Sequence, residues 1–262
     1  VLVTLSTAKL QAQDPSLYIF LCFGQSNMEG QGTIESMDRT VDERFQVFQA
    51  LDCSNLNREK GNWYPAIPPL TRCWTRLSPA DYFGRTMIEN LPDHIKVGII
   101  NVSIGGSRIE LFDKDIYESY TNTYTEDWFQ NAINEYDRNP YQYLIDLAKD
   151  AKKDGIIKGI LLHQGESNNN DSQWPNKVKK IYDHMIEDLN LDPSKTPLLA
   201  GEMVHEDQGG ILAGMNAIIN QLPDELDNSY VISSSSCSDQ DDNIHFDAAG
   251  YRELGKRYAA KM

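Results

Sequence analysis

Residues able to do chemistry cluster at the ends of apolar runs. Leu17 to Phe23 stops on Gly24-Gln25-Ser26-Asn27-Met28. A nucleophilic serine needs exposure at a sharp turn, and Gly24 lets the backbone make one. Met28 stands where a nucleophile elbow of the Gly-x-Ser-x-Gly type demands glycine, which argues against an α/β-hydrolase. Asp242-x-x-His245 offers a base and an orienting carboxylate on one loop. That spacing lets the acid reach the imidazole Nδ1 while Nε2 faces outward. Glu202-x-x-His205 has the same spacing and is a rival pair. Gly105-Gly106-Ser107 can turn backbone N–H groups toward a ligand with no Cβ in the way. His163-Gln164-Gly165-Glu166-Ser167 adds a long amide, able to donate to an oxyanion, and an acid that competes with Asp242 for the place beside His245. The chemistry these types share is acyl transfer through a serine.

Each feature also has an ordinary structural explanation. Ser26 can simply cap a helix, and a glycine pair is most often a turn. With 39 acids and 5 histidines, a three-residue acid–histidine spacing arises easily by chance. His163 suits a packed, hydrogen-bonded role better than that of a ligand.

What must position these residues is a set of short apolar runs: 17–23, 97–100, 156–162 and 230–232, with 198–200 as a fifth. Arg44 to Phe48 alternates as a short strand does. Between the runs, apolar residues recur at helical spacing: Phe83, Met87 and Leu91 after Ser78-Pro79; Leu144, Leu147, Ala148 and Ala151; Val178, Ile181, Met185 and Leu189; Leu212, Met215, Ile219 and Leu222; Tyr251, Leu254 and Tyr258 after Asp247. Strand–helix alternation predicts an α/β domain of three layers, flavodoxin-like, with a mainly parallel five-stranded sheet over residues 15–262. Loops leaving the carboxyl ends of parallel strands share one edge, so residues 26 to 245 converge there. Residues 52–78, with three prolines, are expected to be an irregular excursion, and 111–139 form a polar, aromatic insertion with no clear period.

The chain has 262 residues, 40% hydrophobic and 24% charged, with a formal net charge of −15. Such a surface disfavours nucleic acid and anionic lipid, and no run of 18 apolar residues offers a membrane span. Residues 1–14, apolar and then small at Ser6, Ala8 and Ala12, resemble the end of a signal peptide, which points to a secreted or periplasmic protein. Of four cysteines, Cys53 and Cys73 flank the Pro-rich stretch and could bridge in an oxidising compartment, and none has metal-site spacing.

Gly24-Gln-Ser-Asn-Met28, Ile104-Gly-Gly-Ser107, His163-Gln-Gly-Glu-Ser167 and Asp242-x-x-His245, in this order, resemble the SGNH hydrolases. Within them, the chain is similar to carbohydrate esterase family six and the sialate O-acetylesterase-type domain. Gln25 replaces the aspartate of the GDSL form, and Gln164 stands where asparagine names the superfamily. The resemblance implies Ser26 as nucleophile, His245 as base and Asp242 as its partner. It implies an oxyanion hole built from the N–H groups of Ser26 and Gly106 and the Gln164 side chain, without metal or cofactor. The expected activity is release of acetate from an acetylated carbohydrate, acetylxylan first. A sialate O-acetylesterase, whose anionic sugar Arg108 would receive, and a non-catalytic carbohydrate-binding domain are the alternatives. Specificity would lie on the sugar side, where Trp63, Trp74, Trp128 or Trp174 can stack on a pyranose.

Overall fold

A computed structural model describes residues 13–262; the leader expected over residues 1–14 lies almost wholly outside them. The first half of the chain runs β1 (Leu17–Gly24), α1 (Ser26–Glu29), β2 (Phe45–Phe48), β3 (Trp63–Pro65), α2 (Pro79–Asn90), β4 (Lys96–Ser103), α3 (Tyr117–Thr121) and α4 (Asp127–Asn134). The second half runs α5 (Pro140–Ala151), β5 (Ile156–His163), α6 (Trp174–Asp188), β6 (Leu198–Gly201), α7 (Asn216–Ile219), α8 (Leu222–Glu225), β7 (Ser229–Ile232) and α9 (Ala248–Lys261).

The sheet has seven strands in the order β3-β2-β4-β1-β5-β6-β7, not five. One of the two added strands is β2, over the alternating run 44–48. The other is β3, three residues inside the Pro-rich stretch and the only antiparallel member among the described strands. Pro65 fits there because an edge strand need not donate every backbone hydrogen bond.

Burial explains why the main strands are continuous apolar runs. Along β1, Ile19, Leu21 and Phe23 face one core with α5 and α6, while Phe20 and Cys22 face another with α2 and α9. A strand covered on both sides has no polar face to alternate. Helix starts follow local chemistry. Ser78 and Asp81 form a capping box with Pro79 at the first turn of α2, and the Asp247 side chain accepts the Gly250 N–H at the head of α9. The single helix expected over 212–222 is instead a succession of short turns. Asn216 spends its side-chain amide on both backbone groups of Met203, drawing the segment toward β6.

β1 is the central strand, and the chain leaves it first toward β2 and β4 and later toward β5, β6 and β7. Its carboxyl end is therefore the crevice where loops from both halves of the sheet meet. Cys53 and Cys73 are joined by a disulfide that closes the loop carrying Arg58 to Arg72, and Cys22 and Cys237 are buried thiols.

Candidate active site

Ser26 begins α1 directly beyond β1. Gly24, two residues earlier at the end of β1, has φ +149°, and a Cβ there would stand 2.1 Å from the His163 carbonyl oxygen. Glycine is needed because β5 passes so close. Ser26 Oγ lies 2.8 Å from His245 Nε2, and His245 Nδ1 lies 2.6 Å from Asp242 Oδ2. A carboxylate only accepts, so Nδ1 carries the proton and Nε2 offers its lone pair to the serine hydroxyl. Asp242 Oδ1 accepts the N–H groups of Ile244 and His245, both at 2.9 Å. Partial burial pushes the Asp242 carboxyl up, but the hydrogen bonds from His245 and these amides more than offset it and hold the group below its ordinary value. The three side chains can pass a proton from a hydroxyl to an imidazole backed by a fixed charge, as hydroxyl activation for acyl transfer requires.

The two competing acids are engaged elsewhere. Glu166 Oε1 accepts from Asn27 Nδ2 at 2.5 Å, and the nearest imidazole to it is that of His163, at 3.9 Å. Glu202 accepts from Asn220 Nδ2 and the Ser234 N–H and makes no hydrogen bond or ion pair with His205, whose Nδ1 caps the turn at Asp207. His163 is fully buried with Nε2 on the Glu202 carbonyl, and burial lowers its pKa.

Among the backbone donors expected here, the Gly105 N–H lies toward the buried Glu29 carboxylate and helps to lower its pKa. The N–H groups of Ser26 and Gly106 have no backbone acceptor among the described residues. Gly106 has φ +72°, a left-handed conformation that favours glycine, and a Cβ on it would stand 2.8 Å from the exposed Trp128 ring. Gln164, expected to donate into an oxyanion hole, is placed differently. Its Nε2 faces Gln25 Oε1 (3.1 Å), the Ser107 carbonyl (3.3 Å) and Asn168 Oδ1 (2.7 Å), and its Oε1 accepts from Trp174 Nε1. With two hydrogens among three protein acceptors, this amide is spent inside the protein. Gln25 lines a pocket of about 430 Å³ together with Ser26, Gly106, Glu166 and His245; Gln164 does not.

Several residues with no chemical signature in the sequence hold this arrangement. Asn27 is one. Its Nδ2 donates to Glu166 Oε1 and to the Ile244 carbonyl, and its Oδ1 accepts from Tyr251 Oη and the Phe246 N–H, so one amide ties α1 to the loop bearing His245. The Glu29–Arg72–Glu135 cluster is another. Arg72 holds Glu29 at 3.0 Å and forks onto Glu135 at 2.6 and 2.8 Å, with the exposed Trp74 ring over its guanidinium. Burial raises the Glu29 carboxyl despite Arg72 and the Gly105 N–H. The four tryptophans separate cleanly. Trp63 and Trp174 spend their indole N–H on Asp154 and Gln164 inside the structure, whereas Trp74 and Trp128 are exposed, and Trp128 lies against Gly106, which lines the pocket.

Arg108 is not an open cation. It contacts Glu110 and Asp171 and donates to the Ser167 carbonyl at 3.1 Å. Among the described residues, one group of acids and histidine has metal-like spacing, Asp113, Asp115 and His184. Lys180 Nζ sits on both carboxylates, at 2.9 and 2.7 Å, and supplies the positive charge there. No helix among the described residues is long and apolar enough to cross a membrane.

The fold is shared with proteins of low sequence identity. A protein from Arabidopsis thaliana superposes with a TM-score of 0.70 at 18% identity, over 95% of this chain and 98% of that one. The protein titled NanS gives 0.65 at 16%, over 95% and 97%. A carbohydrate acetylesterase from Xanthomonas citri gives 0.63 at 16%, over 92% of this chain and 55% of its own. Residues 16–262 match the family described as carbohydrate esterase, sialic acid-specific acetylesterase. The chain is a carboxylic ester hydrolase and belongs to that carbohydrate esterase family.

Proposed function

We propose that this protein removes acetyl groups from a neutral acetylated polysaccharide, acetylated xylan first, with Ser26 as nucleophile, His245 as general base and Asp242 as the acid that orients it. The observation that carries this reading is the unbroken contact from Ser26 Oγ to His245 Nε2 and from Nδ1 to Asp242 Oδ2. In the proposed cycle, Ser26 Oγ attacks the acetyl carbon as its proton moves to His245, and the carbonyl electron pair goes to oxygen. Collapse releases the sugar hydroxyl, which takes the proton from His245. A water then repeats the sequence on the acetyl-serine and acetate leaves.

The preference for an uncharged sugar rests on charge. The pocket is lined by Glu166 and by no lysine or arginine, and Arg108, the cation beside it, is already paired with two acids. An anionic sugar would enter without a free counter-charge. Exposed Trp128, packed on Gly106, suits the apolar face of a pyranose. The sialate O-acetylesterase reading has support of its own in the family description. Acetate release from acetylated xylan and from O-acetylated sialic acid, for wild type and Ser26→Ala, decides between them. Faster turnover on the sialate would overturn the xylan preference, and turnover on neither, with none on p-nitrophenyl acetate, would favour a binding domain. The Cys53–Cys73 disulfide supports export to an oxidising compartment; a secreted chain whose N-terminus is found near residues 9–15 would agree, and one that keeps the apolar start would not.

A further inference from the structure

In a chain with 39 acids against 24 lysines and arginines, cavities are expected to carry negative charge. Glu166 lines the pocket beside Ser26, and Asp52, Asp183 and Asp42 line three further cavities. A fifth cavity, of about 460 Å³, has no acid in its walls among the described residues and carries Lys158, Lys195 and Lys261. Its remaining walls are mainly apolar, with Tyr18 and Phe20 of β1, Met87 and Leu91 at the end of α2, and Tyr230 of β7. It lies at the amino edge of the sheet, away from Ser26. At the rise of a strand, β1 alone puts about 20 Å between Tyr18 and Gly24.

Lys158 is the residue that calls for an explanation. It interrupts the apolar run of β5, a strand with β1 on one side and β6 on the other. A charge in such a sheet is costly unless it reaches water or a partner. Here the ladder slips. Ile19 pairs with Ile157 and Phe20 with Gly159, so Lys158 is passed over and takes its place in the cavity wall. Its Nζ lies 4.7 Å from the centroid of the Tyr18 ring, and Lys261 Nζ lies 4.4 Å from that of Tyr230. A ring face steadies an ammonium without cancelling its charge. Lys195 is paired with Asp192 at 3.2 Å, whereas Lys158 and Lys261 form no ion pair among the described residues. Lys261 stands in the last turn of α9, where the helix dipole favours a cation. No such task falls to Lys158 on its strand.

We propose that this cavity binds a single-chain amphipathic carboxylate, with its apolar chain on Tyr18, Phe20 and Leu91 and its carboxylate on Lys158, in the positive field of Lys261. The inference goes beyond the hydrolase reading and does not depend on it. The size of the cavity suits a small molecule. Its apolar walls ask for a hydrocarbon body, and its charge, opposite in sign to that of the whole chain, asks for an anionic head. A neutral sugar answers neither.

The test is calorimetric titration of the whole chain with decanoate, octanoate and hexanoate. Binding at one site is expected, weakening about two- to fourfold for each methylene removed, the scale of burying one. Lys158→Met keeps the apolar stem and removes the charge. It should lower the ratio of octanoate to n-octanol affinity about fivefold, because only the acid uses the ammonium. Lys158→Glu should lower it further, and Lys261→Met less. Lys158→Met should keep its Tm and its kcat on p-nitrophenyl acetate, and saturating decanoate should not compete with that ester. Absence of binding at millimolar decanoate, affinity that ignores chain length, or an unchanged acid-to-alcohol ratio in Lys158→Met would each overturn the proposal. So would competition of decanoate with p-nitrophenyl acetate, which would place it at Ser26. Association with dioleoylphosphatidylglycerol vesicles that disappears in Lys158→Met would also overturn it, in favour of a membrane-docking face. Ser26→Ala should bind decanoate as the wild type does, so a failure of the hydrolase reading and a failure of this one are seen separately.

Discussion

Two polar clusters lie back to back at the carboxyl edge of the sheet, and they differ in what their hydrogen bonds leave over. In front, Ser26, His245 and Asp242 are joined by two contacts in a line, with the side chains of His245 and Asp242 26% and 45% exposed. Behind, Gln164, Asn168, Trp174 and Asn27 are fully buried or nearly so, and their amide groups have partners on both sides. The front cluster is short of partners where a substrate must supply them. The rear cluster is saturated, which is what a support needs, because a half-satisfied buried network is costly and mobile. The proposed division is that chemistry is done by groups with spare bonding capacity, and precision by groups with none.

Breaking the front cluster should affect rate and leave stability alone. Ser26→Ala and His245→Ala are each expected to lose about 10⁴-fold or more in kcat, measured as acetate release, with Tm little changed. Asp242→Asn should lose about 10³–10⁴-fold in kcat with KM retained, since an amide there favours the wrong imidazole tautomer. Glu166→Gln, by contrast, should lose less than about tenfold, because that acid meets Asn27 and not His245; equal damage from both would put the orienting acid in doubt.

Breaking the rear cluster should show the opposite signature. Trp174→Phe keeps the ring and removes only the N–H that holds Gln164. We expect a loss of about 1–3 kcal/mol in chemical denaturation, the cost of leaving a buried acceptor unpaired, with a smaller fall in kcat than any front-cluster variant. A stability loss below about 0.5 kcal/mol would show that the rear network is not under load. Trp128→Ala sharpens the comparison from the substrate side. It should raise KM on acetylated xylan several-fold while leaving kcat on p-nitrophenyl acetate unchanged, since a stacking platform contributes only where there is a sugar to stack.

The smallest expected effect concerns pH. Asp81, buried in the capping box of α2, is pushed up to about 7 by burial, with hydrogen bonds from Ser78 and the charge of Arg85 opposing. Its folded value lies above the ordinary carboxylate value of about 3.9. The stability it contributes is thus full below that value and is lost as pH rises through about 7. Asp81→Asn should flatten the fall of Tm between about pH 4 and 7 without altering the pH profile of acetate release. An unchanged slope would place that dependence on another buried group.

The front cluster was legible in the sequence because each of its residues follows an apolar run, and a buried parallel strand announces both itself and its exit. The rear cluster was not, for reasons that can be named. Gln164 is visibly an amide, but the direction it donates is decided by Trp174, ten residues on and at the start of another helix. Asn27 sits inside the first motif, yet its four partners include Glu166, Ile244 and Tyr251, which no spacing connects. Arg72 and Trp128 arrive on the two stretches without a period, where sequence offers no register to count from. β3 escaped notice because three residues with a proline cannot display alternation. Where the chain is periodic, the elements and their exits could be read from it; where it is not, the positions came only from tertiary contacts.

The placement of Ser26 on the central strand has a consequence for how the protein fails. Amides of β1, bonded to β4 on one side and β5 on the other, can exchange with solvent only when the whole sheet comes apart. The loop bearing His245 has no strand on either side and is held by scattered contacts, among them the Gln240 N–H on the His245 carbonyl, the Ile211 N–H on the Asn243 carbonyl, the Gln240 side chain on the Gln31 carbonyl and the Asn27 side chain. Such a segment opens by itself at a free energy well below that of global unfolding. The two halves of the reacting pair therefore belong to units of different persistence. Mild denaturant should extinguish turnover while the circular dichroism of the sheet is still intact, and the first protection lost in hydrogen exchange should be that of residues 239–246.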